Sequence, residues 1–269
     1  HFGRAAAACF VAQPTLTTQL KKLETYLGAQ LFDRKATPIC PTSLGAKVIA
    51  QARVIMAEVS GLEALLSTET SSMAGTYQLG IIPTLAPYLL PLFIQSFSER
   101  FPEIRLVIKE MQSEQIMEGL RRNQLDLGLL VTPLGEKQLR EIVLFYEPFL
   151  IYASPEEDIL RQSPLLPDHL QQKDLWILEQ GHCFRNQVLN LCAYNPDLSE
   201  SVVRPSKSFT FQAGSIETLK NLVRNNLGYT IIPEMSVHPT LDAKLVKRFA
   251  EPQPAREVSL VVNKTFARE

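Results

Sequence analysis

The feature that most constrains the fold is an alternation of short apolar runs with helical patterns, which begins at Tyr77. Strand-like runs at residues 79–82, 106–108 and 125–131 are separated by two helical patterns. Such alternation predicts an α/β domain with a mainly parallel sheet covered by helices. Further strands are expected at residues 149–153, 176–178, 229–232 and 258–262, with a helix at 215–225.

Hydroxyl side chains follow several of these predicted strands. Thr84, Ser113 and Ser215 each stand where a strand gives way to a helix. In open α/β sheets the strand ends and helix N-termini share one rim, where small polar ligands commonly bind. Each hydroxyl taken alone is better explained as an ordinary helix cap. The sequence therefore predicts a candidate ligand rim without assigning its residues.

The length and charge of the chain indicate a second unit. A chain of 269 residues favours two units, or one large domain with an appendage. Residues 1–53 carry seven basic and two acidic side chains, a net charge of +5, and the remainder carries −6. A basic end on an acidic chain is typical of a module that contacts phosphates. A solvated charged face would give the same count.

The basic end has the pattern of two short helices and a wing. Residues 5–11 form a helical run, residues 12–14 interrupt it, and four leucines then share one stripe of a second helix, namely Leu16, Leu20, Leu23 and Leu27. Pro14 suits the first turn of that helix. The opposite face carries Thr18, Lys22 and other polar side chains that can reach base edges and phosphates. The pattern predicts a helix-turn-helix, with residues 31–45 forming a wing that returns into another helix.

A longer helical seam follows the wing. Its apolar residues are spaced alternately by four and three positions: Val48, Ala52, Ile55, Val59, Leu62 and Leu66. This spacing keeps one seam facing a partner helix, so it predicts a dimerisation helix. The alternative is a single helix that packs on its own domain, and Gly61 weakens the seam. Small polar residues around 67–76 indicate a linker.

Two cysteines nine positions apart are the strongest candidates for chemistry. Cys183 is bracketed by His182 and Arg185, and Cys192 follows on the same segment. Only the thiolate is a good nucleophile, and cationic neighbours raise its fraction. A second cysteine within reach can trap a sulfenic acid as a reversible disulfide. The pattern predicts a reactive thiol with a resolving partner, and the alternative is two small packing residues.

Several other classes of protein are disfavoured. The apolar stretch at residues 79–94 contains three prolines and is shorter than the ~20 residues of a membrane span, so no membrane segment is predicted. Four cysteines without paired short spacing favour a reducing cytoplasm. The four histidines are too scattered for a metal site, and no cofactor is expected. An enzyme, a thiol peroxidase with a DNA-binding module, is the least favoured function.

A specific motif runs through the first 60 residues. The string Ala12-Gln13-Pro14-Thr15-Leu16-Thr17 is followed by Leu23-Glu24, Leu27-Gly28, Leu31-Phe32-Asp33-Arg34, Thr42 and Gly45. This motif resembles the winged helix-turn-helix of the LysR-type transcriptional regulators. The resemblance implies a DNA-binding protein that regulates transcription and acts on double-stranded DNA.

The same resemblance implies roles for individual residues. Base-reading positions fall on Gln13, Pro14, Thr17 and Thr18, while Arg34 and Lys35 lie near the DNA backbone. Ala12 stands where the family usually has Ser or Thr, which removes a cap or a phosphate contact. The family's first helix would lie upstream of His1, so this chain is expected to bind DNA more weakly than a chain that includes that helix.

The rest of the chain is similar to the effector domain of the same family. The phrases that carry the similarity are Gly214-Ser215-Ile216-Glu217-Thr218 and Gly228-Tyr229-Thr230-Ile231-Ile232-Pro233. The implied fold is an α/β effector domain, two-lobed and periplasmic-binding-protein-like, behind an α-rich winged helix-turn-helix and a long linker helix. The expected divisions are 1–42, 43–70 and 76–269, the last with lobes 76–147 plus 251–269 and 148–250. The family favours homodimers or homotetramers, and RNA polymerase is a further expected partner of an activator.

One branch of the family fits best. The segments at residues 80–91 and 181–192 resemble the OxyR branch, whose members sense hydrogen peroxide. Carried over by motif, Cys183 would be oxidised by peroxide and Cys192 would resolve it. Four residues would help to hold the peroxide, namely Thr84, Ser113, His182 and, less securely aligned, Arg256. Ser113 and Asn186 depart from the branch, which often has Thr and Asp there. The alternative is a LysR-type regulator that answers to a small metabolite and has structural cysteines.

The spacing of the two cysteines predicts a conformational switch. If residues 184–192 are helical in the reduced protein, nine residues separate the two Cα atoms by ~13 Å and place them on opposite faces. A disulfide requires Cα atoms no more than ~7 Å apart. Oxidation would therefore have to unwind this segment and displace side chains such as Phe184, Val188 or Leu191.

Overall fold

The computed structural model describes residues 1–36, 38–69, 74–170, 175–191 and 213–266; it leaves out the side chains at 57, 58 and 60–69. The chain forms two compact units, one from His1 to Glu69 and one that begins at Thr70. Among the described helices, none combines the length and apolar character of a membrane span. Among the described side chains, no three metal-ligating groups converge.

The first unit contains two helices and a wing, as predicted, although the first helix spans Phe2–Ala8 rather than residues 5–11. Its elements are α1 (Phe2–Ala8), α2 (Gln13–Leu27), β1 (Phe32–Asp33), β2 (Cys40–Pro41) and α3 (Ser43–Glu69). Helix α2 begins after Ala12, whose side chain supplies no capping hydrogen bond, and it ends at Gly28 in a left-handed conformation. Strands β1 and β2 pair in antiparallel fashion, as expected for a wing.

The entry into the long helix α3 depends on a close approach of two backbone segments. The Thr42 hydroxyl accepts a hydrogen bond of 2.9 Å from the Gly45 amide and so caps the helix. A Cβ atom at Gly45 would lie 1.8 Å from the Leu31 carbonyl oxygen. Only glycine fits there. On the predicted seam of α3, Ile55 and Val59 are exposed, while the side chains of Leu62 and Leu66 lie outside the described part of the chain.

The second unit is built around one sheet. Its first half contains β3 (Gly75–Ile81), α4 (Ala86–Arg100), β4 (Ile104–Glu110), α5 (Ser113–Arg121), β5 (Leu127–Thr132) and β6 (Leu139–Ala153). Its second half contains β7 (Leu175–Trp176), α6 (Cys183–Leu191), α7 (Ile216–Arg224), β8 (Tyr229–Pro233), β9 (Val246–Arg248) and β10 (Ala255–Asn263). The strand order is β4-β3-β5-β10-β6-β8-β7, and β9 pairs with β6.

This sheet is mixed, so the prediction of a mainly parallel sheet was wrong. Strand β3 runs parallel to β4 and β5, and β7 runs parallel to β8. However, β10 is antiparallel to both β5 and β6, and β6 is antiparallel to β8 and β9. Apolar runs identify strands but not their partners. Strand β10 arrives from the end of the chain and inserts between two earlier strands, which a local pattern does not reveal.

Two apolar cores divide this unit into lobes. In the first lobe, α4 and α5 cover strands β3 and β5, with Ile81, Leu85 and Ile116 buried between them. In the second lobe, α6 and α7 pack against β6, β7 and β8 around Trp176 and Phe184. Strand β6 joins the two, because residues 139–148 pair with β10 and residues 149–153 pair with β8.

Candidate functional site

Cys183 is the first residue of helix α6, and its thiol is free and partly buried. The helix is described as far as Leu191, in agreement with the helix expected at residues 184–192 up to that point, and Cys192 lies outside the described residues. Gly181, two positions before the thiol, has a φ of +96°, and a Cβ there would lie 2.5 Å from Nε2 of Gln112. The tight turn therefore needs glycine, and it brings the start of α6 against the start of α5.

The first turn of α6 contacts both lobes. Phe184 is buried in the second lobe, where its ring packs edge-on against Phe149 with the centroids 5.4 Å apart. Cys183 packs instead against the apolar core of the first lobe. The thiol therefore lies where the two lobes meet. A conformational change in this turn would alter the packing of both apolar cores.

A buried polar network lies beside this turn. The Arg256 guanidinium donates from Nη1 to the Thr84 hydroxyl and from Nη2 to the Thr84 carbonyl oxygen, both at 3.0 Å. Its Nε donates to the Glu147 carboxylate at 2.8 Å. The guanidinium carbon lies 5.5 Å from the centroid of the Phe184 ring. Thr84 and Arg256, predicted from distant parts of the sequence, are thus in direct contact and adjacent to the residue after Cys183.

The hydrogen bond from Arg256 determines what the Thr84 hydroxyl can do. An arginine has donors only, so the hydroxyl oxygen accepts, and its own proton remains available for a third group. Helix α4 starts after Leu85, so Thr84 is not its cap. By contrast, the Ser215 hydroxyl accepts from the Thr218 amide at 3.2 Å and is the ordinary cap of α7. The two hydroxyls are therefore chemically distinct.

For Ser113 and His182 the described residues show position and burial but no hydrogen bond to Thr84 or Arg256. Ser113 begins α5, next to the Gln112 side chain that touches Gly181, and it is partly buried. His182 is buried and precedes Cys183. Within the predicted set, direct hydrogen bonds among the described residues join only Thr84 to Arg256. Arg185, expected near the thiol, donates instead to the Leu178 carbonyl oxygen at 2.8 Å.

Gln187 is a polar residue at this site that the sequence reasoning missed. Its side-chain oxygen is buried and has no hydrogen-bond partner among the residues described. It lies four positions after Cys183 on α6, and residues at that spacing share a helix face. The spacing was visible in the sequence, but the burial was not.

A second polar chain links the lobes. Tyr88 of α4 donates a hydrogen bond of 2.9 Å to the Glu217 carboxylate of α7. Burial and the adjacent Glu217 charge raise the pKa of the Tyr88 phenol. Glu217 in turn contacts the buried Lys220 ammonium at 3.2 Å, and Lys220 lies 2.9 Å from Asp242. The inter-lobe contact is therefore anchored in the interior of the second lobe.

The candidate DNA-binding residues of α2 form an exposed face. Gln13, Pro14, Thr18 and Lys22 are exposed, and Thr17 is half-buried. The Thr17 and Thr18 hydroxyls donate to main-chain oxygens one turn back, each at 2.9 Å. In these rotamers both hydroxyls present acceptor lone pairs to a partner.

The wing residues differ from each other. Arg34 forms a 2.7 Å ion pair with Glu24, whose other oxygen accepts from the Leu31 amide at 2.9 Å. The pKa of Glu24 is lowered by the Leu31 amide first, and the Arg34 charge also contributes. Arg34 therefore joins the wing to α2 through this ion pair. The Lys35 side chain is exposed.

Both units of the chain match models of one protein family. Residues 1–46 match the family model "Bacterial regulatory helix-turn-helix protein, lysR family", and residues 70–268 match "LysR substrate binding domain". A hydrogen peroxide-inducible genes activator from Haemophilus influenzae is 34% identical over 263 residues, which cover 97% of this chain and 85% of the relative. The dual regulator OxyR of Escherichia coli is 32% identical, with 97% and 84% covered.

Solved structures give the same result. A full-length OxyR variant from Pseudomonas aeruginosa has a TM-score of 0.80 at 29% identity, covering 100% of this chain and 88% of that one. A peroxide-bound cysteine-to-serine variant of OxyR from Corynebacterium glutamicum has a TM-score of 0.66 at 28% identity, with 100% and 83% covered. The chain belongs to the LysR family of DNA-binding transcription regulators, which are not enzymes.

Proposed function

We propose that this LysR-family regulator senses hydrogen peroxide through Cys183 and a reversible disulfide with Cys192. The observation that carries the proposal is the 3.0 Å hydrogen bond from Arg256 to the Thr84 hydroxyl, beside the first turn of α6. Peroxide is small and uncharged, so a fast reaction needs fixed donors that orient it and stabilise the charge on its leaving oxygen. The Thr84 hydroxyl has a proton available for that purpose.

The reaction has two balanced steps. The Cys183 thiolate attacks one oxygen of hydrogen peroxide, so that an S–O bond forms and the O–O bond breaks. The departing hydroxide takes up a proton and leaves as water. The Cys192 thiol then attacks the sulfenic sulfur, which forms the S–S bond and releases a second water. Peroxide is reduced and the two thiols are oxidised.

Four further residues would surround the reacting oxygens. Ser113 and His182 would approach from the starts of α5 and α6, and Arg256 would supply positive charge behind Thr84. The side-chain oxygen of Gln187, on the same face of α6 as Cys183, has no partner among the described residues and would accept a hydrogen bond from a peroxide O–H. Donors and an acceptor together suit a ligand that both donates and accepts.

Oxidation would change the local fold. Cys183 begins a helix that buries Phe184 and Val188 in the second-lobe core. If the helix continues through residue 192, the two cysteines are ~13 Å apart between Cα atoms. Because a disulfide allows only ~7 Å, the turns of α6 would open and release these side chains. The core of the second lobe would have to repack.

The proposal extends to DNA and to assembly. Residues 1–42 would bind double-stranded DNA through Gln13, Pro14, Thr17, Thr18 and Lys22, with Arg34 and Lys35 of the wing near phosphates. Residues 43–70 would pair copies into a homodimer or homotetramer through the exposed Ile55 and Val59. We place the protein in the cytoplasm as a peroxide-responsive activator that acts with RNA polymerase.

Peptide mass spectrometry after one equivalent of peroxide tests the chemistry. We expect a Cys183–Cys192 disulfide in the wild type and none in Cys183→Ser. Cys192→Ser should stop at a sulfenic acid on Cys183, which dimedone traps. Cys9→Ser is a matched control, because Cys9 is an exposed thiol in the other unit. Peroxide that leaves Cys183 unmodified would overturn the proposal.

One observation favours the alternative of a metabolite-responsive regulator with structural cysteines. Cys183 packs against the apolar core of the first lobe, as a small hydrophobe would. In that case Cys183→Ala would leave both the response in cells and the fold intact. A peroxide sensor would lose its response while keeping its fold.

A further inference from the structure

Glu147 is a buried carboxylate in the strand that joins the two lobes. It lies directly before Pro148, where the pairing of β6 passes from β10 to β8. Only 2% of the residue is exposed. One carboxylate oxygen accepts from the Met235 amide of the second lobe at 2.8 Å. The other accepts from Nε of Arg256 at 2.8 Å and lies 2.8 Å from its Nη2.

These bonds determine where the rest of the guanidinium points. The group is planar and rigid, and a carboxylate that holds its Nε and Nη2 edge fixes the direction of Nη1. From that position Nη1 reaches the Thr84 hydroxyl and Nη2 reaches the Thr84 carbonyl oxygen, both at 3.0 Å. Glu147 thus acts on Thr84 through Arg256 without touching it.

We propose that Glu147 is a positioning residue for the oxidation of Cys183, a role that rests on the proposed function. By anchoring Arg256, it keeps the Thr84 oxygen occupied as an acceptor and leaves the hydroxyl proton directed at the peroxide. Because its other oxygen is bound by the Met235 amide, the second lobe orients a hydroxyl of the first. The relative position of the lobes therefore sets the reactivity of the thiol.

Two rates measured on the same Cys183 peptide separate this role from a general structural one. Oxidation by peroxide requires oriented donors, whereas alkylation by iodoacetamide requires only an accessible thiolate. In Glu147→Gln, which keeps an acceptor but loses the charge, we expect peroxide oxidation to slow by about tenfold. Alkylation should stay within about twofold of the wild type, because the thiol itself is untouched.

A double-mutant cycle tests whether Glu147 acts through Thr84. Thr84→Val removes the hydroxyl, so Glu147→Gln should cause no further loss in that background. Glu141→Gln is the matched control: Glu141 lies on the same strand and accepts from the Leu134 amide at 3.0 Å, away from Arg256. It should react with peroxide at the wild-type rate. Glu147→Asp, which keeps the charge on a shorter side chain, should fall between the wild type and Glu147→Gln, and it replaces Glu147→Gln if that variant does not fold.

The outcomes separate this role from the proposed function. A wild type that reacts with peroxide, together with Glu147 variants of equal rate, would overturn the role of Glu147 alone. Equal decreases in the rates of oxidation and alkylation would also overturn this role. So would effects of Glu147→Gln and Thr84→Val on the oxidation rate that are fully additive in free energy. A wild type that does not react would overturn the proposed function as well.

Discussion

The Tyr88 hydroxyl donates a hydrogen bond of 2.9 Å to the Glu217 carboxylate and thereby ties helix α4 of the first lobe to helix α7 of the second. This hydrogen bond joins the two helices directly. Its acceptor, Glu217, also contacts the ammonium group of the buried Lys220. A movement that separates helix α4 from helix α7 would stretch or break this bond.

Replacing Tyr88 by Phe should cost about 0.5–1.5 kcal/mol of unfolding free energy, the usual net value of one hydrogen bond. The pKa of Tyr88 is raised in the folded state by burial and by Glu217. Its contribution is therefore complete below the unfolded pKa of about 10 and falls as the pH rises above that value. Urea denaturation at pH 8 and pH 10.5 should show a smaller difference in unfolding free energy between the wild type and the variant at pH 10.5. An equal difference at both pH values would contradict the raised pKa of Tyr88.

Replacing Asp242 by Asn should destabilise the second lobe severely. Burial alone would raise the pKa of Asp242, but hydrogen bonds from Arg224, Tyr152, the His238 amide and Lys220 together hold it well below its usual range. The substitution leaves the buried Lys220 ammonium without its closest carboxylate, a loss typically of about 3–5 kcal/mol. Thermal unfolding of the wild type and of Asp242→Asn at pH 7 measures this loss of stability.

The pH dependence of that effect has a definite sign. A depressed carboxyl pKa stabilises the fold above the unfolded pKa of about 3.9, and the stabilisation is lost as the pH falls through the folded value. The wild type should therefore approach the Asp242→Asn variant in stability as acid is added. Asp168→Asn, at an exposed position, is the control and should be neutral. A similar loss in both variants would indicate a general effect of removing charge.

Gln13→Ala and Thr18→Ala should lower the discrimination between target and random DNA, because each removes a candidate hydrogen bond to a base edge. Thr18 presents its lone pairs outward, so its best partner is a base amino group. Fluorescence anisotropy with both kinds of duplex measures the ratio of affinities. An unchanged ratio in Thr18→Ala would show that α2 docks in another orientation.

Lys22→Ala should weaken binding to all sequences alike. A lysine that neutralises a phosphate acts through counterion release, so the slope of log affinity against log salt should shrink by about 0.9 when this one charge is removed. Lys47→Ala, exposed on α3, serves as the comparison. A loss confined to the target duplex would assign Lys22 to base reading instead.

Thr84→Val should slow the oxidation of Cys183 by about tenfold or more, because the near-isosteric side chain lacks the donor. Because the substitution also removes the acceptor of the buried Arg256 Nη1, we expect a loss of about 1–3 kcal/mol in unfolding free energy with the fold retained. Quench-flow mixing with peroxide, with acid as the quench and mass spectrometry of the product, gives the rate of Cys183 oxidation. Equal rates for variant and wild type would favour the metabolite-responsive alternative.

The sequence predicted most elements of the fold but not their neighbours. The helix that begins at Ser113 and the helix that begins at Cys183 were expected within a few residues of their observed bounds. The partners of β10 were not, because insertion of a late strand between β5 and β6 leaves no local pattern.

The site shows the same limit. Cys183 and Thr84 stand out by residue type, but nothing in the sequence around Glu147, which stands between Tyr146 and Pro148, marks it as a buried ion-pair partner. Its partner Arg256 is 109 positions away along the chain. Burial and long-range pairing decide its role, and neither is encoded in spacing. The structural part played by Arg34 is hidden for the same reason, since Glu24 lies in another element.

Peroxide should convert the segment around Cys183 from one local fold to another. Hydrogen–deuterium exchange before and after one equivalent of peroxide tests it most directly, with disulfide formation verified in the same sample. We expect altered amide exchange across residues 181–204 in the wild type and none in Cys183→Ser. A disulfide between Cys183 and Cys192 with unchanged exchange in that segment would contradict the account.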